Sequence, residues 1–134
     1  MVPHHLLVID DEPFIGRIVQ LEFEAGPYRV SIAADGDEGL AFLRAHPDVE
    51  LVLLDVNMPG RSGLDVLAEA KEDPALARVP FIVLTAAGQS AYAERARTLG
   101  AAAFLTKPFS PRKLLRQVGA ILGEDAGEAS AEVP

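Results

Sequence analysis

Five side chains in this 134-residue chain are suited to phosphoryl chemistry: Asp10, Asp11, Asp55, Thr85 and Lys107. An aspartate carboxylate can attack a phosphorus centre and form an aspartyl-phosphate. A lysine ammonium neutralises charge on a transferring group, and a threonine hydroxyl donates to one of its oxygens. Three carboxylates in one pocket repel one another and raise each other's pKa. A hard cation relieves that repulsion. Oxygen ligands without cysteine or clustered histidine favour magnesium over zinc or copper, and magnesium keeps part of its hydration shell. Taken singly, each residue has an ordinary reading. Asp10-Asp11 is a helix N-cap pair, Thr85 ends a strand, and Lys107 is a solvated surface lysine.

The position of these residues along the chain argues against the ordinary readings. Apolar runs alternate with amphipathic stretches. Leu6–Ile9, Tyr28–Ala33, Leu51–Leu54, Phe81–Leu84 and Ala102–Leu105 read as strands; the unbroken apolar runs suit strands buried on both faces. Phe14, Ile15, Ile18 and Val19 follow helical spacing behind Pro13. Asp35 or Asp37 caps a helix that runs to about His46. Leu64–Lys71 and Ser90–Leu99 are helical, the latter alanine-rich and the least firmly held. Leu114, Leu115, Val118, Ile121 and Leu122 give the last helix an apolar stripe. Met58-Pro59-Gly60 reads as a turn and Asp73–Pro80 as a loop. Five strand–helix units imply a doubly wound parallel α/β sheet covered on both faces. Asp10-Asp11, Asp55, Thr85 and Lys107 each follow a predicted strand, so they converge on the carboxyl edge of the sheet, where such folds bind ligands.

Length and composition set the remaining bounds. The chain fits one domain with one core, over residues 1–122. The stretch 123–134 holds Glu, Ala, Gly, Ser and Asp with Val133 as its one large apolar residue, and reads as a disordered tail or truncated linker. There is no cysteine, hence no disulfide. No apolar run is long enough to span a membrane, and no signal peptide is evident, which places the protein in the cytoplasm. A formal net charge of -8 disfavours direct binding to nucleic acid or anionic membranes. His4, His5 and His46 lack metal-ligand spacing and read as terminal and surface residues.

Four segments taken together resemble the receiver domain of two-component response regulators. They are Val8-Ile9-Asp10-Asp11-Glu12, Leu54-Asp55-Val56-Asn57-Met58-Pro59-Gly60, Leu84-Thr85-Ala86 and Leu105-Thr106-Lys107-Pro108-Phe109. They occur in order, each at a predicted strand end, and the likeness spans Leu6 to Leu122. It implies a flavodoxin-like, five-stranded sheet in the order 2-1-3-4-5, the order of chemotaxis receivers. By this resemblance Asp55 is the phosphoacceptor. Asp11, Asp55 and the main-chain carbonyl of Asn57 bind Mg2+ directly, and Asp10 acts through a water. Thr85 and Lys107 hold the phosphoryl oxygens, and Lys107-Pro108 is a cis peptide. Phe104 matches the aromatic that turns inward when Thr85 moves; its alternative is a plain core phenylalanine. Asn57 and Ala87 tune the lifetime of the phosphoryl group.

The resemblance also implies partners: a histidine kinase or phosphotransfer protein as donor, and a downstream protein on the Ser90–Leu122 face. Ala102 and Ala103 stand where receivers that dimerise carry adjacent acids, so a monomer is expected. The longer loop from Glu72 to Pro80 is similar to those of stand-alone and hybrid-kinase receivers. Three rival readings remain. A haloacid-dehalogenase-type phosphatase wants an acid two residues beyond its nucleophile, where this chain has Asn57. A flavin carrier of the same fold wants a Ser/Thr/Gly-rich loop after the first strand, where this chain has Asp10-Asp11-Glu12-Pro13. A degenerate, receiver-like interaction module would lack pocket residues that are all present here.

Overall fold

The computed structural model describes residues 3–86 and 90–123. The expectations for Ala87 and for the tail after Gly123 lie outside the described residues. Five strands, β1 (His4–Ile9), β2 (Tyr28–Ala33), β3 (Val49–Asp55), β4 (Phe81–Ala86) and β5 (Ala103–Lys107), form one sheet in the order β2-β1-β3-β4-β5. Every pairing is parallel. Period-two alternation divides the buried side chains between two layers. Leu6, Val8, Leu51 and Leu53 face one side of the sheet with Ile15, Val19 and Phe23 of α1 (Pro13–Phe23) and Leu114 and Val118 of α5 (Pro111–Leu122). Leu7, Ile9, Val52 and Leu54 face the other, against Leu40 and Leu43 of α2 (Gly36–Ala45) and Leu67 of α3 (Gly63–Glu72). Among the described side chains of the alanine-rich α4 (Ser90–Thr98), the buried ones are small, Ala93 and Ala96.

Helix starts follow local chemistry. Asp35, not Asp37, caps α2: its side chain accepts from the Glu38 amide, while Glu38 accepts from the Ala34 amide. Ser62 and Ser110 cap α3 and α5. Pro13 and Pro111 stand in the first turns of α1 and α5, where a missing N–H costs nothing.

The strands are longer than their apolar runs. Asp55 pairs with Leu84, Thr85 with Thr106, and Ala86 with Lys107. Asp55, Thr85 and Lys107 therefore belong to the last rungs of their ladders instead of following them. Hydropathy ends a strand at its first polar residue, whereas the backbone ladder continues through it. At the other end, β1 begins at His4, which corrects the surface reading of His5. That imidazole is 3% exposed. Its Nδ1 donates to Asp48 Oδ2 at 2.7 Å, and its Nε2 lies 2.7 Å from the Ser31 hydroxyl. A ring bonded at both nitrogens is tolerated inside. His4, paired with Glu50 at 2.8 Å, and His46, stacked on Phe42, are partly exposed.

Candidate functional site

The sheet brings the acidic side chains together at its carboxyl edge. Asp10, Asp11 and Asp55 each present a carboxylate oxygen within 4.8 Å of the others. Asp10 and Asp55 are buried at 2% exposure, while Asp11 is exposed. Two short backbone contacts fix the buried pair. The Glu12 amide donates to Asp10 Oδ1 at 2.9 Å, and the Asn57 amide donates to Asp55 Oδ1 at 3.0 Å. Gly63 opens α3 directly behind Asp55 and donates its amide to the Val56 carbonyl. Asp11, Glu12, Asp55, Asn57, Ala86 and Lys107 line an open cavity of about 330 Å³.

Lys107 reaches into this cluster from the end of β5. Its Nζ lies 2.9 Å from Asp10 Oδ2, 3.4 Å from Asp55 Oδ2 and 2.8 Å from Glu12 Oε1. The Lys107-Pro108 bond is cis, as the resemblance implies. Burial works against the lysine's charge, but the contacts with Glu12 and Asp10 and the negative charges of Asp10 and Asp55 outweigh it. The ammonium is held above its usual pKa range.

Burial pushes the Asp55 carboxyl up to about 6; the charge of Asp10 adds to this, and the Asn57 amide and Lys107 oppose it. Asp10 is raised as well, again mainly by burial. Desolvation therefore outranks the mutual repulsion of the carboxylates. Asp10 Oδ2 is buried and meets the Lys107 ammonium at 2.9 Å as an ion pair, without a hydrogen bond of good geometry. A buried carboxylate oxygen without a hydrogen bond, beside two further carboxylates, is a set of hard donors, which fits a magnesium ion.

Two predicted residues stand apart from the cavity. The Thr85 hydroxyl, 3% exposed as a residue, donates to the Leu105 carbonyl at 3.4 Å across the β4–β5 pair. Phe104 lies on the outer part of β5, 36% exposed, with the Arg97 guanidinium of α4 5.3 Å from its ring centre. It is not a plain core phenylalanine: β5 is an edge strand, and its ring stays partly open to solvent beside Arg97. Glu12 and Gly63 are the residues that motif reasoning left without a role. The signal for Glu12 was its place beside Asp10-Asp11; Gly63 offered none.

A doubly wound sheet with this acidic edge and its paired lysine defines a receiver-type α/β domain. The chain belongs to the response regulator receiver domain family, whose model matches residues 6–119. It is 38% identical over 118 residues to the response regulator SaeR of Staphylococcus aureus, covering 88% of this chain and 50% of that protein. It thus spans about half the length of the curated relatives it matches. Among solved structures it superposes on the chemotaxis response regulator CheY4 of Vibrio cholerae with a TM-score of 0.82 at 27% identity, covering 90% of this chain and 99% of that one. The receiver domain of NtrX from Brucella abortus gives 0.81 at 28% identity, with 88% and 98% covered. These matches favour neither the phosphatase nor the flavin-carrier reading. Among the described residues, no helix is long and apolar enough to cross a membrane.

Proposed function

We propose that this domain accepts a phosphoryl group on Asp55 from the phosphohistidine of a histidine kinase or phosphotransfer protein, and that the modified state controls a downstream partner. The observation that carries the reading is the buried Asp55 carboxylate, 3.4 Å from Lys107 and within 4.8 Å of two other acids. An Asp55 oxygen attacks phosphorus, the donor's P–N bond breaks, and the imidazole leaves and takes up a proton. With a carboxyl near 6, Asp55 is mostly ionised at neutral pH and able to attack. Lys107 neutralises the growing charge on the phosphoryl oxygens, and the Thr85 hydroxyl turns from Leu105 to donate to one of them. Asp11, Asp55 and the Asn57 carbonyl would hold Mg2+, with Asp10 acting through a water. Bound there, the ion would neutralise phosphoryl charge and relieve the crowded carboxylates.

Movement of Thr85 vacates space behind β5, and Phe104 turns inward from its exposed position. This changes the Ser90–Leu122 face that the partner reads. The domain works in the cytoplasm as a monomer, without direct contact to nucleic acid or membrane. Intact-mass spectrometry after incubation with magnesium and acetyl phosphate tests the assignment. One added phosphoryl group is expected, absent in Asp55→Asn; equal labelling of that variant would move the site elsewhere.

A further inference from the structure

We infer that Glu12 is a positioning residue that competes with the phosphoryl group for Lys107: it holds the ammonium in the resting protein and yields it when Asp55 is modified. The inference rests on Asp55 being the phosphoacceptor.

Glu12 occupies the N-cap position of α1, yet its side chain caps nothing. The carboxylate instead crosses to the end of β5 and meets Lys107 Nζ at 2.8 Å, the shortest of the three contacts that the ammonium makes with acids. An ammonium carries three N–H bonds; this one donates to Glu12 Oε1 and is ion-paired with Asp10 and Asp55. A phosphoryl oxygen arriving on Asp55 needs one of those places.

The three acids differ in how readily they can leave. Asp10 and Asp55 are buried and each is tied by a backbone amide. Both also belong to the acidic cluster that would face a cation. The Glu12 side chain is 45% exposed, so it can turn to water at little desolvation cost. It is therefore the acid displaced. Its ion pair with Lys107 must be broken before the lysine can serve the phosphoryl group, and the pair opposes modification by the energy it contributes. A part-exposed ion pair is typically worth about one- to fivefold in an equilibrium.

Titration with beryllofluoride and magnesium, followed by calorimetry, tests this on wild type, Glu12→Ala, Lys107→Ala and the double variant. Acetyl phosphate labelling rates supply a second readout. Glu12→Ala should tighten beryllofluoride binding and speed labelling by about two- to fivefold. Glu12→Gln should shift both in the same direction by less. The gain should vanish in the Lys107→Ala background, because Glu12 acts through that lysine. Thermal melts of Glu12→Ala should fall only by the few degrees that loss of one part-exposed ion pair accounts for, as no cap is lost. Unchanged or weaker binding in Glu12→Ala would overturn the inference. A gain that persists without Lys107 would also overturn it and leave only a through-space charge effect. Wild type that takes up neither beryllofluoride nor phosphoryl would instead overturn the reading of Asp55, and this inference with it.

Discussion

Gly63 and Asp55 are in backbone contact so close that a side chain cannot fit between them. A Cβ built on Gly63 would lie 2.2 Å from the Asp55 carbonyl oxygen and 2.7 Å from the Val56 Cα. The obstacle is main chain at the end of β3, so it cannot swing aside as a side-chain tip would. This contact lets the first turn of α3 sit directly behind the candidate phosphoacceptor. Gly63→Ala should destabilise the domain by about 2 kcal/mol or more, as overpacking against rigid structure does. It should also slow acetyl phosphate labelling, because relief requires moving Asp55. Urea denaturation with and without the substitution measures the first effect. A change within about 0.5 kcal/mol would show that the α3 entry is looser than the contact implies.

Which parts of this arrangement were legible in the sequence follows from the physics of each signal. The apolar runs around Leu7, Leu53 and Val83 mark central strands because both faces are covered, and the motif residues at their ends lead straight to the acidic edge. The strand ends were not legible, since Asp55, Thr85 and Lys107 are polar residues whose backbones continue the ladder. His5 was misread because its burial depends on Asp48 and Ser31, partners distant in sequence. Glu12 stood in plain view beside Asp10-Asp11, but its role depends on where Lys107 comes to rest, which only the packing of β5 decides. Phe104 carried a motif identity but no signal of exposure, because that depends on the edge position of β5.

Magnesium binding should separate the two adjacent acids. Asp10 is buried and already engaged by the Glu12 amide and the Lys107 ammonium, whereas Asp11 is exposed at the cavity wall. Asp11→Ala should weaken magnesium binding sharply by removing a direct ligand. Asp10→Ala should cost less. Calorimetric titration of both variants gives the order, and a larger loss for Asp10→Ala would reverse the assignment of direct and water-mediated contacts.

The β5 edge bears on assembly. Ala102 donates its amide to the Phe81 carbonyl, and Ala103 begins β5 beside Ile82, so neither supplies a charge to pair across a symmetric contact. Charged pairs set register and partner choice at such surfaces, and their lack removes that specificity. The domain should elute as a monomer with and without beryllofluoride and magnesium. Light scattering during size-exclusion chromatography reads the mass directly, and a tight dimer on activation would mean that alanine at these positions suffices.

Asp55 should contribute less to the stability of the metal-free domain as pH rises through the acid range, the reverse of the usual behaviour of a paired carboxylate. Burial raises Asp55 from its ordinary value of 3.8 to about 6. Between those values the folded state keeps a proton that the unfolded chain has released, so this contribution falls as pH rises and levels off above about 7. A shift of this size corresponds to roughly 3 kcal/mol. Asp10, also raised, adds a slope of the same sign. Lys107 adds none in this window, because its raised pKa lies far above it. Asp55→Asn removes the titrating group and retains the shape. In chelator the variant should gain on wild type as pH climbs from 4 to 8, reaching an advantage of about 2 kcal/mol. The difference between the two denaturation curves cancels the other titrating groups and isolates Asp55. Magnesium should erase most of that advantage, because a bound cation favours the ionised carboxylate. If wild type instead gained on Asp55→Asn as pH rose in chelator, Asp55 would be stabilised as a charge by Lys107, and burial would not be the dominant influence on it.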